Sequence, residues 1–240
     1  MCAFNNINKK KLFNKFKPSK LLCSIKRKLI KPFIIRDSPK RIFTDIYLHN
    51  HWKGTESVSG SGSTLKQTQY LRRDLEKILK IYRIGSILDI PCGDYNWMKF
   101  VEKQNIKYTG ADIVKPLIKL NRMKYGQNQL RKFIVKDIIK DPLPRNDIII
   151  CRDCLVHLSF QEIFRSIKNI KKSKSKYLLA TTFTNHILNL DSSRGGWRKL
   201  NMQKEPFNFP EPVYTIIEKC PEGNGEYSDK SLGLWLVCDL

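Results

Sequence analysis

Apolar positions between residues 86 and 182 switch repeatedly between two periods. Short apolar or β-branched runs at 86–90, 108–113, 132–135, 147–151 and 177–182 predict strands. Stripes at helical spacing fall between them: 95–103, 115–125 with Pro116 suited to a first turn, and 160–170. Upstream, Leu65, Leu71, Leu75, Ile78 and Leu79 mark a helix from Thr64 to about Tyr82, opened by the capping box Thr64-Leu-Lys-Gln67. Before it, Ser57-Val-Ser-Gly-Ser-Gly-Ser-Thr64 reads as a mobile loop anchored to that helix. Downstream, 213–218 and 232–237 are strand patterns with no long helix between them, so they can pair antiparallel at one edge. The expected class is α/β: a mostly parallel sheet covered on both faces, with an antiparallel C-terminal edge strand.

Two of the strands end in acids. Ile87-Leu-Asp-Ile-Pro-Cys-Gly-Asp94 runs from apolar residues through Asp89 into a Pro/Gly turn. That is how a parallel strand ends over a nucleotide-like ligand. About twenty residues on, Tyr108-Thr-Gly-Ala-Asp-Ile113 ends at Asp112, at the distance where an acid accepts hydrogen bonds from ribose hydroxyls. Together they point to a cofactor carrying an adenosine, and so to an enzyme.

Composition adds one feature to this picture. The chain has 240 residues, enough for one α/β domain and a short extension, and 45 Lys+Arg against 22 Asp+Glu give it a net charge of +23. The excess implies either contact with a polyanion or anionic membrane, or a Lys-, Ile- and Asn-rich genome. It is densest in the first 41 residues, a basic leader that is either an amphipathic membrane-surface helix or a solvated tail. Residues 42–240 then form the folded domain. No apolar run is long enough to span a bilayer. The seven cysteines show no repeated pairing pattern, which fits a reduced, cytoplasmic chain, peripheral to a membrane if the leader binds one. Cys151-Arg-Asp-Cys154 has no second pair to complete a zinc site, so no metal is expected.

Taken in order, several segments carry a resemblance: Ser57–Thr64, Leu88-Asp-Ile-Pro-Cys-Gly-Asp94 with Trp97, Gly110-Ala-Asp-Ile113, Cys151-Arg-Asp-Cys-Leu-Val-His-Leu158, and Asp229-Lys-Ser-Leu-Gly-Leu-Trp235. From Phe43 to Val237 the chain resembles class I S-adenosylmethionine (SAM)-dependent methyltransferases, and within them a bacterial-type group that modifies polysaccharides or other small acceptors. The common first motif carries more glycines than the single Gly93 here.

The resemblance implies a Rossmann-like sandwich, SAM as cofactor and a set of site residues. Asp89 would face the methionine moiety, with Cys92, Gly93 and Asp94 forming the turn beside it. The alternative reading of Asp94 is a helix N-cap. Asp112 takes the ribose hydroxyls and Ile113 packs on the adenine. Asp137 either accepts from the adenine amino group or is a solvated strand-end acid. Cys151, closing the fourth strand, borders the cofactor.

The acceptor side follows that strand. His157 or Asp153 would take a proton from an acceptor hydroxyl, unless His157 only fixes its loop. Arg152 holds an anionic acceptor or makes a surface salt bridge. The segment 43–64 forms a lid, in which Trp52, His51 and His49 either line the acceptor pocket or only connect.

The acceptor expected is a small molecule or glycan, methylated at oxygen. An RNA, DNA or protein acceptor is the alternative, with Lys171-Lys-Ser-Lys-Ser-Lys176 guiding a polyanion, but no nucleic-acid-stacking module favours it. A third reading is a non-catalytic domain that binds an anionic surface. The sequence does not set the oligomeric state.

Overall fold

The computed structural model describes residues 38–192, 195–220 and 222–240. The basic leader through residue 37 lies outside them, and with it the expectation of an amphipathic membrane-surface helix.

Seven strands form one sheet: β1 Ser86–Asp89, β2 Lys107–Asp112, β3 Arg131–Val135, β4 Ile148–Cys151, β5 Tyr177–Phe183, β6 Tyr214–Ile217 and β7 Lys230–Leu236. Their order is β3-β2-β1-β4-β5-β7-β6. Strands β1 to β5 pair in parallel, and β7 runs antiparallel to both β5 and β6. The antiparallel strand therefore lies inside the sheet, and β6 forms the edge. This is the expected Rossmann-like methyltransferase architecture.

Side chains alternate across the sheet. Ile87, Ile148, Ile150 and Leu179 face one core, completed by Leu71, Leu75 and Ile78 of α2 (Gln69–Ile81) and Ile118 of α3 (Lys115–Tyr125). Leu88, Ile149, Leu178 and Ala180 face the other, completed by Ile163, Ile167 and Ile170 of α4 (Phe160–Lys172). A Ser159/Glu162 capping box opens α4.

Three local expectations change. The stretch 95–103 is a single 3-10 turn at Met98–Phe100 rather than a helix. Tyr95 sits at φ 60°, in the left-handed region, and the Asp94 carboxylate takes the Asn96 N–H, which holds the chain off a helical path. The helix expected from Thr64 starts at Gln69, because Thr64 caps an isolated turn through Gln67 N–H and Thr68 N–H. An additional helix, α1 (Pro39–Leu48), opens the described chain, with Ser38 as N-cap and Pro39 in the first turn.

The chain runs outward from the middle of the sheet in both directions, so β1 and β4 are neighbours whose connections leave to opposite sides. Their carboxyl ends define the crevice where sheets of this kind bind ligands.

Candidate functional site

A cavity of about 400 Å³ opens at that crevice. Its floor is the carboxyl ends of β1, β2 and β4. Its walls include Pro39, Phe43 and Tyr47 of α1, Trp52, and the turn from Val58 to Ser63. The volume falls in the range of small-molecule sites.

Asp89 and Asp112 stand at one end, both nearly inaccessible to solvent. The Tyr108 hydroxyl donates to Asp89 Oδ2 at 2.7 Å. Burial outweighs that bond and raises the Asp89 carboxyl to about 7. Asp112 accepts the Val114 N–H at Oδ1 (2.9 Å) and the Gly93 N–H at Oδ2 (3.2 Å). Burial again wins, raising it to about 6. Neither acid has a cationic side chain in hydrogen-bond contact among the described residues. Beyond Asp112 the wall turns apolar, with Ile113, Val114, Ile138 and Ile139 forming a slot suited to a flat ring.

Cys92, Gly93 and Asp94 line the turn after β1. Burial raises the Cys92 thiol, which marks it as an apolar wall group. Gly93 has φ 52°, and a Cβ there would overlap the Ser59 hydroxyl. The one glycine of the motif thus admits the covering turn as well as the backbone. Asp94 caps no helix. It accepts the Ser57 hydroxyl at 3.0 Å and the Val58 N–H at 3.1 Å, tying that turn to the sheet. Asp137 lines the cavity half-buried and accepts the Ile139 N–H at 2.8 Å, and burial raises its carboxyl.

The other end, after β4, is dense in charge. Arg152 donates Nε to Glu218 Oε1 (3.0 Å) and Nη2 to Glu218 Oε2 (2.6 Å), and Nη2 also meets the Gly62 carbonyl at 2.8 Å. Lys230 Nζ donates to Asp153 Oδ2 at 2.7 Å. Burial pushes the Asp153 carboxyl up, but Lys230 and Arg152 outweigh it and hold it well below the usual range. Its Oδ1 is buried without a hydrogen-bond partner among the described residues. Asp153 also sits at φ 51°, a left-handed backbone held by tertiary contacts.

His157 is buried between Phe43, at 6.2 Å between ring centroids, and Trp52, at 5.4 Å. Its Nδ1 lies 3.0 Å from the Gly196 carbonyl oxygen. A carbonyl can only accept, so Nδ1 carries the proton and Nε2 keeps its lone pair. Burial lowers the imidazole pKa and favours this neutral form.

The structure therefore gathers Asp89, Cys92, Gly93, Asp94, Asp112, Ile113, Asp137, Arg152, Asp153, His157 and Trp52 around one cavity. It corrects four expectations. Cys151 is fully buried in the core it shares with α4 and does not reach the cavity wall. His51 points outward to Asp45 at 3.2 Å instead of into the acceptor pocket. Arg152 is consumed by Glu218 and Gly62 instead of facing an anionic acceptor. Asp153 meets the cavity as a carboxylate paired with Lys230 at 2.7 Å and with Arg152 at 3.2 Å rather than as a free base.

Sequence reasoning gave no role to Lys230, Trp197, Phe43 or Tyr47, all of which line the cavity, nor to Gly196, which fixes the His157 tautomer. Ser38-Pro39 with Phe43 and Tyr47 four apart was an available signal for α1. Nothing local marks Gly196.

Comparison with known proteins agrees with this geometry. Residues 88–179 match the family model of a methyltransferase domain. Magnesium protoporphyrin IX methyltransferase from Synechocystis PCC 6803, solved with bound SAM, aligns at 12% identity over 83% of this chain and 97% of its own, with a TM-score of 0.55. The PH0226 protein from Pyrococcus horikoshii OT3 aligns at 18% identity over 71% and 89%, with a TM-score of 0.52. Human N-acetylserotonin methyltransferase aligns at 16% identity over 64% of this chain but only 43% of its own length, with a TM-score of 0.47. No curated protein matches the chain in sequence.

The fold and the matched segment define an α/β methyltransferase domain. The matched segment covers residues 88–179, and the sheet that holds it has the Rossmann-like fold of the SAM-bound Synechocystis enzyme.

Proposed function

We propose that this protein methylates a hydroxyl of a small-molecule or glycan acceptor, with His157 as general base. The carrying observation is the His157 ring: Nδ1 is committed to the Gly196 carbonyl, so the basic Nε2 belongs to a neutral imidazole in the cavity wall.

SAM fits the opposite end. Its adenine suits the Ile113–Ile139 slot, its ribose hydroxyls can donate to Asp112, and its positively charged methionine end suits Asp89. Two buried acids with no cationic side chain in hydrogen-bond contact among the described residues suit a cationic nucleoside, and each carboxylate oxygen still has acceptor capacity. Bound there, SAM supplies a methyl group already activated by its sulfonium.

The protein's own residues then have three tasks. Asp89 and Asp112 orient the donor. Trp52, Phe43 and the Val58–Ser63 turn exclude water. His157 Nε2 would accept the proton of the acceptor hydroxyl, whose oxygen would take the methyl group as the sulfonium's bond to it breaks and the neutral thioether leaves. Asp153 stands in the same wall, held charged by Lys230 and Arg152.

The test is transfer of labelled methyl from SAM to a panel of sugars, glycans and phenols, with wild type and His157→Asn. General-base catalysis contributes typically about 10²–10⁴-fold, so the variant should lose that much in kcat while binding S-adenosylhomocysteine as wild type does. Full turnover in the variant, or transfer confined to amines or nucleic acid, would sink the proposal.

A further inference from the structure

We propose a second site, for one divalent transition ion of the Zn²⁺ type, at Asp45, His49 and His51. It lies on the solvent side of α1, outside the cavity, and does not depend on the proposed reaction.

Its geometry is set by backbone. His49 caps α1, its N–H bonding back to the Asp45 carbonyl at 3.1 Å. Asn50 then takes φ 46°, and the His51 N–H returns to the Ile46 carbonyl at 3.1 Å. This reversal folds both imidazoles onto one carboxylate. His49 Nδ1 lies 3.1 Å from both Asp45 Oδ1 and the Asp45 carbonyl oxygen, so it carries a proton that an entering ion must displace, and His51 Nε2 lies 3.2 Å from Asp45 Oδ2. All three ligand atoms fall within 4.8 Å of one another. Tetrahedral zinc with ligands at about 2.0–2.1 Å separates neighbouring ligand atoms by roughly 3.3 Å, so the carboxylate–imidazole spacings already suit the ion.

The donor set is selective. Two imidazoles and a carboxylate suit zinc and its neighbours rather than calcium or magnesium, which prefer all-oxygen shells. All three side chains are more than half exposed, so solvent supplies both entry and the remaining ligands. Surface pairing alone gives little reason for two imidazoles to share one carboxylate, since exposed ion pairs contribute little.

The site also has a mechanical link to the cavity. Phe43 and Tyr47 of α1 line the cavity, and Trp52 directly follows His51 and packs on His157. An ion bridging Asp45, His49 and His51 ties the end of α1 to the Trp52 segment and holds that cover against the imidazole.

The experiment is calorimetric titration of the untagged full chain with ZnCl₂, for wild type, His49→Ala and His51→Ala, with circular dichroism to verify folding. Wild type should bind one ion, and each substitution should weaken it by about tenfold or more. Cobalt substitution should give visible d–d bands without a sulfur-to-metal charge-transfer band. A zinc-induced change in tryptophan fluorescence should vanish in Trp52→Phe, which still binds the ion. Saturable binding that survives both histidine substitutions, a charge-transfer band from cysteine, or no saturable binding by wild type would each overturn the site.

Discussion

At one end of the cavity, Asp89 and Asp112 are buried against neutral partners: a tyrosine hydroxyl and backbone amides. At the other, buried Glu218 and half-buried Asp153 pair with Arg152 and Lys230. The first pair of carboxyls is raised by burial, to about 7 and about 6, while the neighbouring cations hold Asp153 below the usual range. Acids whose cations are built in belong to the scaffold. Acids without them leave charge to be matched by whatever enters.

The largest effect expected from breaking this contrast is at Arg152. Arg152→Met leaves Glu218 buried without its bidentate partner and frees the Gly62 carbonyl. Breaking a buried pair from one side costs about 3–5 kcal/mol. In a domain of this size that lowers Tm by roughly 10 °C. Thermal unfolding checks it, and a shift below about 3 °C would mean that the cluster is solvated and the contrast false.

Asp112→Asn should do the reverse. It removes a buried charge that no cation stabilises, so Tm should change little. Binding of S-adenosylhomocysteine should weaken by about 10–100-fold, since the Asn amide would face the Gly93 N–H and lose acceptor strength toward ribose. Titration calorimetry beside a melting curve separates the outcomes. Lost stability with unchanged binding would assign Asp112 to the scaffold.

The same contrast explains what was legible in the sequence. Asp89, Gly93 and Asp112 sit at strand ends, and strand ends are fixed by local apolar periodicity. Each could be placed on the ligand crevice before any tertiary contact was known. The α4 stripe at 160–170 and the β6–β7 antiparallel pair were legible for the same reason.

Arg152 and Asp153 were placed correctly at the end of β4, but their roles depend on Glu218 and Lys230, more than sixty residues away. No spacing rule joins such partners. The His157 tautomer depends on Gly196, in a segment without secondary structure. The helix expected at 95–103 failed because Asp94 engages the Ser57 hydroxyl and the Val58 N–H instead of a helix N-terminus. The Asp45 group went unseen because two histidines two residues apart meet an earlier aspartate only after a left-handed Asn50.

Gly93→Ala probes the seam between the two ends. A non-glycine residue at φ 52° costs about 1–2 kcal/mol, and its Cβ must also displace Ser59. The expected result is a modest fall in stability with faster proteolysis in the segment 54–63, read by limited digestion and mass spectrometry. Unchanged digestion would show that the turn does not depend on this approach.

The smallest effect carries the sharpest sign. A raised carboxyl binds its proton more readily in the folded chain than in the unfolded one. Asp89 and Asp112 therefore stabilise the ligand-free protein as pH falls from about 7 toward 4, and that contribution is lost as pH rises. Asp153 has the opposite slope: its contribution is present above the ordinary carboxylate range and lost only in acid. If the methionine end of SAM meets an ionised Asp89, binding must expel the proton that burial retains. Affinity for S-adenosylhomocysteine should then fall by about tenfold between pH 8 and pH 6, as expected for one group titrating near 7. Calorimetry in two buffers of different ionisation enthalpy should record proton release near pH 6.5, and Asp89→Asn should abolish it. Proton uptake, or no exchange at all, would mean that Asp89 stays neutral in the complex and donates a hydrogen bond there.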